Sequence, residues 1–212
     1  MRKLFNGLLW ILGTLLLLGV VLRALVLDVW KVPNDPMLGA ALAPSLAPGD
    51  VVVVLTRGTP GFGELVRCPD PEAPGSHIVG RIAGLPGDTV DVDHTVLLVN
   101  GQRYDAETAC AEPKVSITDP ATGNPVQLSC NMVMMGPGLH ARATGRKPPL
   151  ERRHHVEVRP DTVFLLSDNR SYHDDSRDFG LQPRSACNQR IVFRLWGGAG
   201  WSDDRRRFTF VR

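Results

Sequence analysis

The sequence predicts a mostly β protein, one antiparallel β-domain behind a single N-terminal apolar helix. Three observations carry this expectation. Residues 5–22, FNGLLWILGTLLLLGVVL, contain no charge. Beyond them, short β-branched runs follow one another, separated by Gly, Pro, Asp or Asn, which is the punctuation of a strand-rich chain. No later stretch sustains an apolar repeat of 3.6 residues over helical length, so an all-β barrel or sandwich follows.

The apolar run comes first. A helix over residues 5–22 is about 27 Å long, close to the roughly 30 Å of bilayer hydrocarbon. It is expected to be an uncleaved membrane anchor occupying residues 1–30, with the lipid bilayer as a partner. A secretory signal peptide has a shorter apolar core, about 7–15 residues, followed by a small-residue cleavage site; here RALVLDVW follows, without an A-x-A pattern. A buried core helix is the other alternative. Arg2 and Lys3 precede the run, which places the N-terminus in the cytoplasm, although Arg23 and Lys31 on the far side weaken that bias. The expected location is the inner (cytoplasmic) membrane, single-pass, with residues 31–212 outside the cytoplasm and long enough for one core.

The strands are expected at 51–55 (VVVVL), 63–68 (GELVRC), 77–84 (HIVGRIAG), 89–93 (TVDVD), 95–101 (TVLLVNG), 162–168 (TVFLLSD) and 190–197 (RIVFRLWG). Residues 103–160 differ. They are polar, contain prolines and carry the basic stretch GRKPPLERRHH at 145–155, which reads as an inserted subdomain between core strands.

Charge and cysteines bound the function classes. A net charge of +2 says little about partners, and no nucleic-acid partner is expected. Arg205, Arg206 and Arg207 beside Asp203 and Asp204 read as a solvated turn. Cys68, Cys110, Cys130 and Cys187 all follow the apolar run, an even count in a compartment that permits disulfides. Three pairings are possible. Cys110 with Cys130 is favoured because the two bracket one segment of the insert, leaving Cys68 with Cys187; four unpaired buried thiols are the alternative. With no CxxC and no cysteine near a histidine pair, zinc is not expected. His154 and His155, adjacent in an extended chain, point to different faces and read as solvated. No metal or cofactor is expected.

Three stretches in order, PSLAPGDVVV (44–53), GRIAGLPGDTV (80–90) and SDNRSYHDDSRDFG (167–180), together resemble the bacterial type I signal peptidases. Those are membrane-anchored serine proteases that remove signal peptides from exported proteins. GFGELVRC and LLVNGQ are weaker echoes. The resemblance implies an antiparallel β-fold at the membrane, secretory or membrane-emerging polypeptides as partners, and a peptide groove that includes Gly39, Leu42, Pro44 and Arg81. It also implies that Asp168, Asn169, Arg170, Asp175, Ser176 and Arg177 brace the site through hydrogen bonds and ion pairs.

The family uses a serine nucleophile and a lysine base, and the chemistry needs both. An unassisted hydroxyl is a weak nucleophile, and the lysine must be held neutral by burial. Counted back from Pro44, the serine position is Ala41; matching VPNDPM (32–37) to the family's Val-Pro-Ser-x-Ser-Met, with an insertion after it, gives Pro36 instead. The oxyanion-hole serine then corresponds to Gly39 or Asn34. The lysine position is Gly80. No route supplies the pair, so an impaired enzyme is expected, with an active one using a relocated pair as the alternative. Ser45 and His77 are weak replacement candidates. Ser45 lies about 13 Å of extended chain past Ala41, and His77, an odd number of residues before Gly80, turns to the opposite strand face. His173 stands where the family often has a serine near the lysine. Lys31 reads as an interfacial cation.

Overall fold

The computed structural model describes residues 2–145 and 153–211. Most of the basic stretch expected at 145–155 therefore lies outside the described residues. The chain opens with helix α1, Arg2–Leu25, and continues at once into β1, Leu27–Lys31. The β-region thus begins inside the segment 1–30 expected as anchor. Leu9, Trp10, Leu16 and Leu17 are all exposed on α1. Among the described residues no helix is long and apolar enough to cross a membrane; the side chains at positions 5, 8 and 22 of the expected span are not among them.

A short helix, α2 (Pro36–Leu42), separates β1 from β2 (Val51–Leu55). Its start is built locally. Pro36 stands at the first turn, where a missing N–H costs nothing, and the Asp35 carboxylate caps the helix by accepting from Leu38 N at 2.7 Å. Then follow β3 (Leu65–Pro69), β4 (His77–Gly84), β5 (Thr89–Asp93), β6 (Val96–Val99) and β7 (Gln102–Tyr104). The expected insert contains β8 (Ala106–Thr118), β9 (Pro125–Met135), β10 (Gly138–Thr144) and β11 (His154–Glu157). The chain ends with β12 (Thr162–Leu166), α3 (Ser176–Phe179), β13 (Gln182–Pro183), β14 (Gln189–Trp196) and β15 (Thr209–Phe210).

The principal sheet runs β1-β2-β14-β3-β4-β12-β13, with β15 on β14. A second sheet is β11-β5-β6-β7, and the insert strands β8, β9 and β10 form a third, in the order β10-β9-β8. Every pairing between these strands is antiparallel. The polar insert is therefore largely sheet. Its strands show mixed exposed and buried positions, with Leu128, Cys130 and Val133 buried on β9, a weaker pattern than the apolar runs elsewhere.

Burial follows the valine run. Val52 and Val54 are wholly buried with Leu38, Leu42, Leu46, Leu65, Val79 and Ile191, so α2 packs its last turn onto the principal sheet. Both expected cysteine pairs lie at disulfide distance: Cys68 with Cys187 on the principal sheet, Cys110 with Cys130 between β8 and β9. The three-arginine stretch differs from expectation in one respect. Asp204–Arg206 is a 3-10 turn capped by Asp203, but Arg206 leaves solvent to reach the buried Asp50 at 2.7 Å. Asp50 is fully buried and also takes Arg194 at 3.0 Å, so the desolvated carboxylate has two cations to compensate it.

Candidate functional site

The three stretches that resemble signal peptidases meet around β4. The loop after β12 is tied to α2 through Asn169, whose backbone N–H donates to Ala41 O at 3.0 Å and whose Nδ2 donates to Ala40 O at 2.8 Å. The first stretch is tied to the second by Arg81, and the second to the third by the same side chain. Arg81 donates to Asp168 through Nε at 2.6 Å and Nη2 at 3.1 Å, and to Gly63 O through Nη1 at 3.0 Å.

Ser45 shares this centre. Its hydroxyl accepts from Arg81 Nη2 at 3.4 Å, and its carbonyl accepts from Arg194. Both neighbours are guanidinium groups, donors that stay charged in proteins. His77 lies elsewhere, its ring tilted against Trp30 at 6.1 Å; burial and the Arg67 charge hold its pKa below the usual histidine value. The structure thus does not bring Ser45 and His77 together.

Both positions expected for the dyad are buried. Ala41 is buried in α2. Gly80 of β4 pairs with Val66 of β3, and a Cβ placed at Gly80 would lie 3.2 Å from Leu165 Cβ and 3.4 Å from the Leu166 N and O. Gly39 is tighter still, since its Cβ would meet the Pro48 ring at 2.6 Å. Pro36, the other reading of the nucleophile position, starts α2. Leu42, expected along the groove, is wholly buried among the core residues of the principal sheet.

Apart from Asp168, the third stretch makes several of its charge contacts within itself. Asp175 accepts from Arg177 Nε at 2.9 Å and Nη2 at 2.8 Å, from Ser167 N at 2.8 Å, and caps α3. Burial raises its carboxyl pKa, but Arg177 outweighs this and holds it at about 2. Ser176 Oγ accepts from Leu165 N at 2.9 Å, and the fully buried Arg170 donates to Ser167 O at 2.6 Å. Burial, helped by the Arg177 charge, lowers the Arg170 pKa to about 9. His173 bonds Asp178 at 2.7 Å; burial opposes its charged form, yet the Asp178 bond outweighs it and raises the pKa. With Asp175 and Asp178 its ligand atoms lie within 4.8 Å of one another, but Asp175 is already saturated by Arg177 and backbone N–H groups.

Sequence reading passed over His140. On β10, it is 1% exposed, its Nε2 stands 3.9 Å from Asp168 Oδ1, and both ring nitrogens are unbonded among the described residues. Its only signal in the sequence is an ionisable residue inside the alternating stretch GLHARAT.

Comparison with known proteins gives a family. The family model for signal peptidase, peptidase S26, matches residues 6–196. A probable signal peptidase I-1 of Synechocystis is 25% identical over 207 residues, covering 92% of this chain and 84% of that protein. A signal peptidase I of Bacillus caldolyticus is 30% identical over 118 residues, 56% of this chain and 53% of that one. A crystal structure of a signal peptidase I from Enterococcus faecalis aligns with a TM-score of 0.41 at 19% identity, covering 64% of this chain and 98% of that chain.

Proposed function

The chain belongs to the signal peptidase S26 family, and on that premise we propose that it binds signal-peptide-bearing polypeptides at the membrane without cleaving them at an enzymatic rate. One observation carries the reading. Ser45 is the only hydroxyl-bearing residue from 36 to 45, and its Oγ accepts a hydrogen bond from Arg81 rather than facing a base. A guanidinium cannot take the proton that a nucleophilic serine must lose. The Arg81–Asp168 and Arg177–Asp175 pairs and the Asn169 ties to α2 support a groove held around it.

Membrane attachment through α1 is part of the proposal. Its support is the exposure of Trp10 at 79% and Leu16 at 72% along a helix of 24 residues, an apolar surface that water does not favour. Trp201, Phe208 and Phe210 add a second exposed apolar cluster, with Trp201 and Phe208 in edge contact at 5.3 Å.

The test is a purified full-length chain given a preprotein, with binding read by crosslinking at the signal junction and cleavage by mass of the product. Crosslinking without cleavage is expected. Cleavage at an ordinary enzymatic rate would overturn the reading, and its loss in Ser45→Ala would establish a relocated catalytic serine instead.

A further inference from the structure

β14 pairs with β3 only at Gln189 and Arg190, and with β15 only from Phe193. Where the strands part, a cavity of about 490 Å³ opens, walled by Leu65, Ile191 and Phe210 and lined also by Arg81, His140 and Arg190. Its size lies in the range of small-ligand sites, about 300–1,000 Å³. Arg81 and Gly80 are neighbours on β4, so their side chains leave opposite faces. The cavity is therefore on the other side of the strand from the missing lysine.

Its polar groups are incompletely used. Both His140 ring nitrogens are buried and unbonded among the described residues, a state that is costly unless a ligand supplies partners. Asp168 does not satisfy the ring, because it stands 3.9 Å away and is committed to Arg81. Arg81 uses Nε, both positions of Nη2 and one of Nη1, which leaves one of its five N–H groups uncommitted. Arg190 holds Glu64 through Nη1 only. Burial first, then the charges of Arg81, Arg170 and Arg142, hold the His140 ring neutral. It thus presents one N–H and one lone pair in a field dominated by guanidinium groups.

We propose that this cavity binds a small carboxylate on an apolar chain, its oxygens accepting from His140 and Arg81 and its chain lying against Leu65, Ile191 and Phe210. A medium-chain fatty acid and the free C-terminus of a short apolar peptide share this chemistry. The site is independent of whether the chain cleaves preproteins.

The full-length protein in micelles would be titrated at neutral pH with octanoate, and with octanamide as the uncharged isostere. Heat and the His140 imidazole nitrogen signals would be followed. Acetyl-Ala-Leu-Ala as free acid and as amide would be titrated in parallel. The proposal expects saturable binding of at least one acid, a shift of the His140 signals at saturation, and an affinity about tenfold above the matching amide, as a charge-assisted hydrogen bond allows. Whichever acid binds tighter identifies the source. His140→Phe should weaken the acid about tenfold, and Arg190→Gln at the partly exposed mouth several-fold, the latter serving if His140→Phe fails to fold. Acid and amide binding equally, or saturation without a His140 shift, would overturn the proposal.

Discussion

Arg81 Nη2 donates to the Ser45 hydroxyl at 3.4 Å, while the same guanidinium holds Asp168. The serine that replacement chemistry would need is therefore an acceptor in a buried ion-pair cluster. Ser45→Ala should leave preprotein processing unchanged and lower unfolding free energy by no more than about 1 kcal/mol, the net worth of one such bond. Parallel cleavage assays and urea titrations check both halves.

Placing a serine and a lysine at the positions expected for the dyad, 41 and 80, should give no enzyme, because position 80 is closely packed. A side chain at position 80 meets Leu165 Cβ at 3.2 Å and Leu166 backbone atoms at 3.4 Å, and trimming Leu165 to alanine would remove neither contact. Gly80→Lys is expected to cost about 1–3 kcal/mol by overpacking. Combined with Ala41→Ser it should give no gain of cleavage. Urea unfolding with a preprotein assay tests this, and efficient cleavage by the double variant would mean that β4 and β12 yield easily.

The apolar strands were legible because β2, β4 and β12 are buried on both faces and read as continuous runs. The insert was not. β8 and β9 have many exposed positions, so their composition reads as loop although they pair over long registers. The pairing of Cys110 with Cys130 followed from the segment they bracket and stands across β8 and β9. For the site, the motifs located Arg81, Asp168 and Asp175, but sequence spacing cannot report that α2 buries Leu42 or that Arg206 returns to Asp50. Those contacts join segments far apart in the chain.

Asp168 is fully buried and receives two Arg81 bonds. Asp168→Ala would leave a buried guanidinium without its counter-charge, and should destabilise by about 3–5 kcal/mol. A loss below about 1 kcal/mol in chemical denaturation would mean that water reaches Arg81 and that the cluster does not brace the site.

Anchoring through α1 predicts that the full chain stays with membranes through an alkaline carbonate wash. A chain lacking residues 2–25 should partition to the soluble fraction, or dissociate from membranes in high salt if the Trp201, Phe208 and Phe210 cluster retains it. Full-length chain released by carbonate would contradict the anchor.

His140 makes stability depend on pH in a direction that can be worked out. Its folded pKa is pushed far below 6.5, by burial first and then by Arg81, Arg170 and Arg142, while the Asp168 carboxylate stands 3.9 Å from its Nε2. Below pH 6.5 the unfolded chain binds a proton that the folded chain refuses, so stability is present above that pH and falls as the solution is acidified. The slope approaches about 1.4 kcal/mol per pH unit for one such group. His173 works oppositely, since its raised pKa adds stability that is lost as pH rises, but it remains in both proteins of a comparison. The difference between wild type and His140→Phe, measured by urea unfolding from pH 7.5 to 4.5, should therefore isolate the His140 contribution as a wild-type-minus-variant stability that falls toward low pH. Parallel curves would show that the folded chain protonates His140 as readily as the unfolded chain does, and that burial does not hold the ring neutral.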